Sequence, residues 1–279
     1  MAANPPEKTP RRVAVILGTG GSGRNLLDLV LPLLLRDREI EMHGVFLEEA
    51  EVQHAAELPF VKELCRVTFS MREFTSDQFE RSLALRMRTA QRAIAVLARR
   101  AGVSHSFRNI RGPAVRLLRE TASVSDIMVF EPTLRLGTTM PRPRRGEPRI
   151  VVVVSDLESG RQALLAAGHL ADGRAGRICV LATGAAAEDL QAINRLCAEG
   201  LKGHPSSMRR VRPEGGVPAL IEAAHAAGAA LFVIAATDDL LEPATLQLLR
   251  ERLRCPICLV RQWSGDIPPK QPALSDATA

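Results

Sequence analysis

The stretch Arg149–Asp172, RIVVVVSDLESGRQALLAAGHLAD, decides the fold. Ile150–Val154 is a short run of apolar β-branched residues, which suits a strand buried on both faces. Small polar residues follow, and then an alanine- and leucine-rich segment expected to be helical over Ser159–Leu170. The order is strand, turn, helix. The same order appears earlier in Val13–Leu35, VAVILGTGGSGRNLLDLVLPLLL. Two copies of one opening unit predict two copies of one module.

Working outward, strands are expected over Val13–Leu17, Ile40–Leu47, His105–Ile110 and Ile127–Phe130 in the first half. In the second half they are expected over Ile150–Val154, Ile178–Ala182, Met208–Val211, Leu231–Ala235 and Ile257–Val260. Helices alternate with them, over Asn25–Leu35 and then Ala187–Glu199, Val217–Ala227 and Pro243–Leu253 among others. That alternation implies parallel strands joined by right-handed crossovers. The string from Gly112, GPAVRLLRETASVSDIMVF, matches the apolar pattern of GVPALIEAAHAAGAALFVI from Gly216 without a gap. The first half lacks the final helix and strand that Pro243–Val260 supplies to the second. Ala50–Thr75 reads as a long, partly helical connection.

Ser76 and Asp77 are good caps for a long helix. Phe79, Leu83, Met87, Ala90, Ile94 and Leu97 form its apolar stripe, and Gly102 is placed to end it. Arg81, Arg88, Arg92 and Arg99 lie away from that stripe. They form either a solvated face or the contact face of an interaction scaffold.

Composition bounds the function. The chain has 279 residues, enough for two domains with real cores. Aromatic residues make up 3%, so the core is built from Ala, Val, Leu and Ile. The formal charge of +6 permits an anionic partner, but tyrosine is absent and few rings exist for base stacking, which disfavours nucleic acid. The odd count of five cysteines argues against a disulfide framework. MAANPPEKTPRR contains no apolar run, so no signal peptide is expected, and Leu26–Leu35 is too short to span a membrane. A cytoplasmic protein is expected.

These features together resemble the universal stress protein family in tandem form. The resemblance is carried by Gly215–Ala235, GGVPALIEAAHAAGAALFVIA, by Arg254–Arg261, RCPICLVR, and by Ser125–Phe130, SDIMVF. It implies two tandem three-layer α/β/α domains with mostly parallel sheets, of the adenine nucleotide alpha hydrolase-like kind. The domains would span 11–140 and 149–262, with Pro141–Pro148, PRPRRGEP, as linker. The halves would pack as an intramolecular pseudo-dimer.

Nucleotide-binding members of the family carry an Asp after the first strand that contacts adenine. After the fourth strand they carry Gly-x-x-Gly, about nine residues, and Gly-Ser or Gly-Thr, which hold phosphates. Here Asp156 stands at the adenine-contacting position. The loop Ala235–Arg254 has no glycine, and Asp238, Asp239 and Glu242 oppose phosphate. In the first half Gly18 and Thr19 replace the Asp, and only Gly137–Thr138 resembles the end of the phosphate loop. The resemblance therefore implies a non-enzymatic binding or regulatory protein of the stress response with weak or lost ATP binding. No cofactor is required, and ATP or AMP would be the ligands to try.

GTGGSG, the six residues Gly18, Thr19, Gly20, Gly21, Ser22 and Gly23, matches G-x-G-x-x-G between a strand and a helix. It reads as a flexible turn, an anion or nucleotide loop, or a dinucleotide fingerprint. Glu39 lies near the distance expected for a ribose-binding acid but precedes the second strand, while Glu48, at that strand's end, comes later; Glu48 and Glu49 read as a solvated pair. The alternative function is thus a nucleotide- or dinucleotide-binding sensor or enzyme using this loop.

Cys255-Pro256-Ile257-Cys258 enters an apolar strand, where extended residues this far apart stand beyond disulfide reach. Core packing is expected for it. The six histidines lack metal-ligand spacing, and Arg24 spoils a nucleophile elbow at Ser22. No catalytic residue and no metal site are expected. The partner is an unidentified protein. A homodimer is allowed if Ile257–Val260 lies at a sheet edge.

Overall fold

The computed structural model describes residues 10–18, 23–50, 54, 58, 62–64, 70–73, 76–133, 149–172, 177–183, 187–201 and 203–263. The first half begins with strand β1 (Arg11–Gly18), helix α1 (Arg24–Arg36) and strand β2 (Ile40–Glu49). Two short strands, β3 (Lys62–Leu64) and β4 (Met71–Glu73), pair antiparallel within the connection expected to be partly helical. Then come α2 (Ser76–Ala101), β5 (Ser104–Gly112), α3 (Ala114–Val124) and β6 (Ile127–Phe130).

The second half runs β7 (Arg149–Val154), α4 (Leu157–Ala171), β8 (Arg177–Ala182), α5 (Ala187–Gly200) and β9 (Ser206–Arg210). It continues with α6 (Gly216–Ala227), β10 (Ala229–Ala235), α7 (Pro243–Arg252) and β11 (Ile257–Val260).

The strands other than β3 and β4 form one nine-stranded sheet in the order β5-β2-β1-β6-β11-β10-β7-β8-β9. Every neighbouring pair in it is parallel except β6 and β11, which run antiparallel. The fold is therefore α/β with a mostly parallel sheet and helices on both faces, as expected. Counted within its own half, each set of strands stands in the order third, second, first, fourth. The second half adds its fifth strand, β11, and that strand joins the two sets.

This placement corrects the expectation that Ile257–Val260 could lie at an edge. β11 sits between β10 and β6, and all four of its residues are buried. The edges of the sheet are β5 and β9.

Side-chain alternation along the strands divides the core into two layers. Val13, Val15, Ile150, Val152 and Val154 point to one face, where α1, α2, α4 and α5 pack. Ala14, Ile16, Val151 and Val153 point to the other, under α3, α6 and α7. Corresponding helices of the two halves thus cover the same face. α1 and α4 also pack on each other across the joint. Within the opening stretch, Gly160 is required by contact: a Cβ there would meet Val154 Cγ1 at 2.5 Å. Its bare backbone lets α4 lie close on β7.

The long helix ends as its sequence predicts. Gly102 takes a φ of 70°, with Gly102 N–H bonded to Arg99 O at 3.2 Å and Val103 N–H to Ala98 O at 3.1 Å. That pattern is a Schellman cap. The linker 141–148, together with Gly137 and Thr138, lies outside the described residues.

Candidate functional site

In an open parallel sheet, ligands bind beyond the carboxyl ends of the strands where strand order reverses. This sheet has two such points, between β1 and β6 and between β7 and β10. Because β6 and β11 are antiparallel, the two points open at opposite ends of the strands. Gly18 and Gly23 belong to one and Asp156 to the other, so these described candidate residues of the two halves do not converge on one site.

At the second-half point, Asp156 follows β7 and caps α4. Its Oδ1 accepts the Ser159 N–H at 2.8 Å, and its Oδ2 accepts the Ser159 hydroxyl. Partial burial alone would raise its pKa. The hydrogen bonds from the Ser159 side chain and from the backbones of Ser159 and Glu158 outweigh that and hold it below the ordinary carboxylate value. Asp156 is exposed but already committed to its own helix.

Beside it, after β10, the chain turns through exposed Asp238 and Asp239. Leu241 N–H bonds Thr237 O at 3.0 Å to close the turn. Glu242 then stands at the N-cap of α7, without a side-chain cap, and Pro243 follows it. Proline offers no N–H at the position where an anion would be met. Carboxylates therefore stand on both strands flanking this point.

At the first-half point, Gly23 starts α1 with a φ of 64°, in the left-handed region. A Cβ there would meet Leu17 Cδ2 at 2.8 Å, so both backbone angle and space demand glycine. α1 has no acidic residue in its first turn and no side-chain cap at Gly23. Its own first turn and cap therefore supply no negative side chain to its positive end. Thr19, Gly20, Gly21 and Ser22 lie outside the described residues.

Both carboxylates at the end of β2 are engaged. Asn109 Nδ2 donates to Glu48 Oε1 at 2.6 Å. Arg250 Nη2, from α7, meets Glu49 Oε1 at 2.5 Å. This pair is largely buried, and a Cβ on Gly18 would lie 3.9 Å from the same Glu49 oxygen. The Thr133 N–H donates to Arg250 O at 2.8 Å, which ties the segment after β6 to the same helix. Burial raises the pKa of Glu131 at the end of β6. A nucleotide ribose seeking an acid after β2 would have to displace Asn109 or Arg250.

The Glu49–Arg250 pair bridges the two halves, and nothing in local sequence signals it. A second bridge forms around Trp263, which is buried after β11. Its backbone N–H donates to Gln162 Oε1, and its indole Nε1–H donates to His169 Nδ1 at 3.0 Å. Arg11 lies over the indole at 5.1 Å and pairs with Asp37 at 3.2 Å. Arg36 pairs with Asp172, and His204 Nε2 lies 3.3 Å from Asp172 Oδ1. Burial first, and then the positive charge of Arg36, push His169 down to about 4. Its neutral ring accepts the hydrogen bond from the indole N–H at Nδ1. This cluster links α1, α4 and the end of β11.

Cys255 and Cys258 are buried free thiols, each pushed up to about 12 by burial. They pack the core and are poorly suited to redox exchange. No group of three or more His, Cys, Asp or Glu side chains capable of holding a metal occurs among the described residues. No helix among them is long and apolar enough to cross a membrane.

Among solved structures, the chain is similar to a universal stress protein from Archaeoglobus fulgidus DSM 4304, at 10% identity and a TM-score of 0.46, covering 89% of this chain and 96% of that one. It is similar to a functionally unknown protein from Pseudomonas aeruginosa PAO1, at 12% identity and a TM-score of 0.47, covering 92% and 94%. A universal stress protein in complex with cAMP matches at 17% identity and a TM-score of 0.32, covering 42% of this chain and 99% of that one. No family model matches the chain, and no curated protein matches it. These overlays are loose, and the fold description rests on the strand order itself.

Proposed function

We propose that this chain is a universal-stress-protein-like, non-enzymatic binding and regulatory protein of the stress response, in which ATP binding is weak or lost. Its two halves are an internal duplication acting as a pseudo-dimer in the cytoplasm. The observation that carries this reading is the second-half switch point. Asp156, the acid that the family resemblance sets against adenine, is held by Ser159, and the neighbouring loop offers Asp238, Asp239 and Glu242 where phosphate needs N–H groups. The matching helix placement in the two halves supports the duplication.

The test is calorimetric titration with ATP and AMP. This reading expects no saturable binding at micromolar concentrations. Tight ATP binding that Asp156→Ala abolishes would overturn it.

A second reading is favoured by one observation, the left-handed Gly23 at the start of an α1 that lacks acidic residues in its first turn. In that reading the Gly18–Gly23 loop of the first half holds a nucleotide or dinucleotide, as a sensor or an enzyme. Thermal stabilisation by NAD or AMP that disappears in Gly20→Val and Gly21→Val supports it. Unchanged stabilisation in those variants removes it.

A further inference from the structure

Helix α2 runs over 26 residues and packs on the core by one side. Its buried residues, Ile94, Leu97, Ala98 and Ala101, all lie toward its C-terminal end. The opposite side of the helix carries Arg81, Leu85, Arg88, Arg92, Val96 and Arg99, which recur at three- and four-residue steps and so form one continuous stripe. At the rise of an α-helix the stripe is roughly 27 Å long.

All six side chains are exposed, and the two apolar ones strongly so, Leu85 at 67% and Val96 at 55%. Exposed aliphatic side chains of this size, set between arginines, have no role in this chain's own core. Among the described residues, Arg99 Nε bonds back to Ala95 O in its own helix, at 3.4 Å. Among the described residues, no carboxylate pairs with Arg81, Arg88 or Arg92.

Three- and four-residue spacing is the spacing of a helix-packing ridge. Leu85 and Val96 stand about three turns apart on it. We infer that the Arg81–Arg99 stripe of α2 docks an acidic amphipathic helix of a partner protein, with the partner's carboxylates on the arginines and two apolar side chains against Leu85 and Val96.

The charge selects an acidic partner, and the interleaved apolar residues select a helix over a polyanion. Phosphate backbones need cations but gain nothing from Leu85 or Val96, and no aromatic ring on the stripe is available for base stacking. Two separated aliphatic side chains bury too little to hold a helix in a lipid interface. The inference uses residues other than those of either nucleotide point, and its test reads a different ligand. Its failure and that of the proposed function are therefore distinguishable.

The experiment is fluorescence anisotropy of the full chain with a labelled synthetic helix, glutamate at three- and four-residue steps and two leucines three turns apart. Duplex DNA and anionic phosphatidylserine vesicles are run in parallel. Binding of the acidic helix is expected to weaken with salt and to fall roughly tenfold or more in Arg88→Glu/Arg92→Glu, with recovery when the peptide's glutamates become lysines. Leu85→Ser is expected to weaken binding while leaving its salt dependence unchanged.

Circular dichroism and the thermal midpoint establish that the variants fold, and Arg88→Gln/Arg92→Gln replaces the reversal if it does not. No binding of the acidic helix, or binding unchanged by the arginine variants, overturns the inference. So does tighter binding of DNA or vesicles through the same arginines, or indifference to Leu85→Ser.

Discussion

Asp156 caps its own helix through Ser159. Its position after β7 was readable from the run of valines before it, and its type matched a nucleotide contact. Its capping bond was not readable, because an Asp three residues before a Ser fits a helix cap and a ligand contact alike, and only the structure shows the bond to Ser159. Asp156→Ala should lower stability by about 1 kcal/mol, as loss of a cap does, with Asp156→Asn retaining most of it; urea unfolding measures both. His169 carries a pH prediction. Its folded-state pKa of about 4 lies below its unfolded value, so the unfolded chain binds more protons across the interval between them. Stability contributed by the neutral, buried ring is present above roughly pH 6.5 and is lost as the pH falls toward 4. Unfolding free energies taken between pH 7 and 4.5 should therefore fall, and His169→Gln should flatten part of that slope.

Elements were more legible than their partnerships. α2 announced itself by its apolar stripe and its closing glycine, and β6 and β11 by short apolar runs bounded by breakers. A four-residue apolar strand reads the same whether it ends a sheet or fills its middle, so the central place of β11 was not legible. The short β3–β4 pair was missed because its strands are too brief to show alternation. Arg250 was equally opaque, since a lone arginine on α7 looks like a solvated charge until β2 brings Glu49 to it. That pair makes a prediction between elements. Arg250→Met leaves Glu49 largely buried and uncompensated and should cost about 3 kcal/mol, whereas adding Glu49→Leu should recover much of it. A double-mutant cycle in urea reads the coupling.

For the whole molecule, the consequence of β11 is that neither half closes its own sheet. Without residues beyond 148, β6 becomes an edge whose residues Ile127–Phe130 are all buried in the full chain. An apolar edge of that kind pairs with whatever strand it meets. The first half expressed alone should therefore associate or precipitate in sedimentation, while the full chain sediments without such edge pairing. At this scale the sequence pattern conveyed the alternation of strands and helices, but not the antiparallel joint that turns the carboxyl ends of the two sets of strands to opposite ends of the sheet. The central claim, a universal-stress-protein-like fold whose ATP site is weak or lost, meets its most direct test in calorimetric titration of ATP into the wild-type chain and Asp156→Ala. The account predicts no saturable micromolar binding in either. Tight binding to the wild type that vanishes in Asp156→Ala would contradict it.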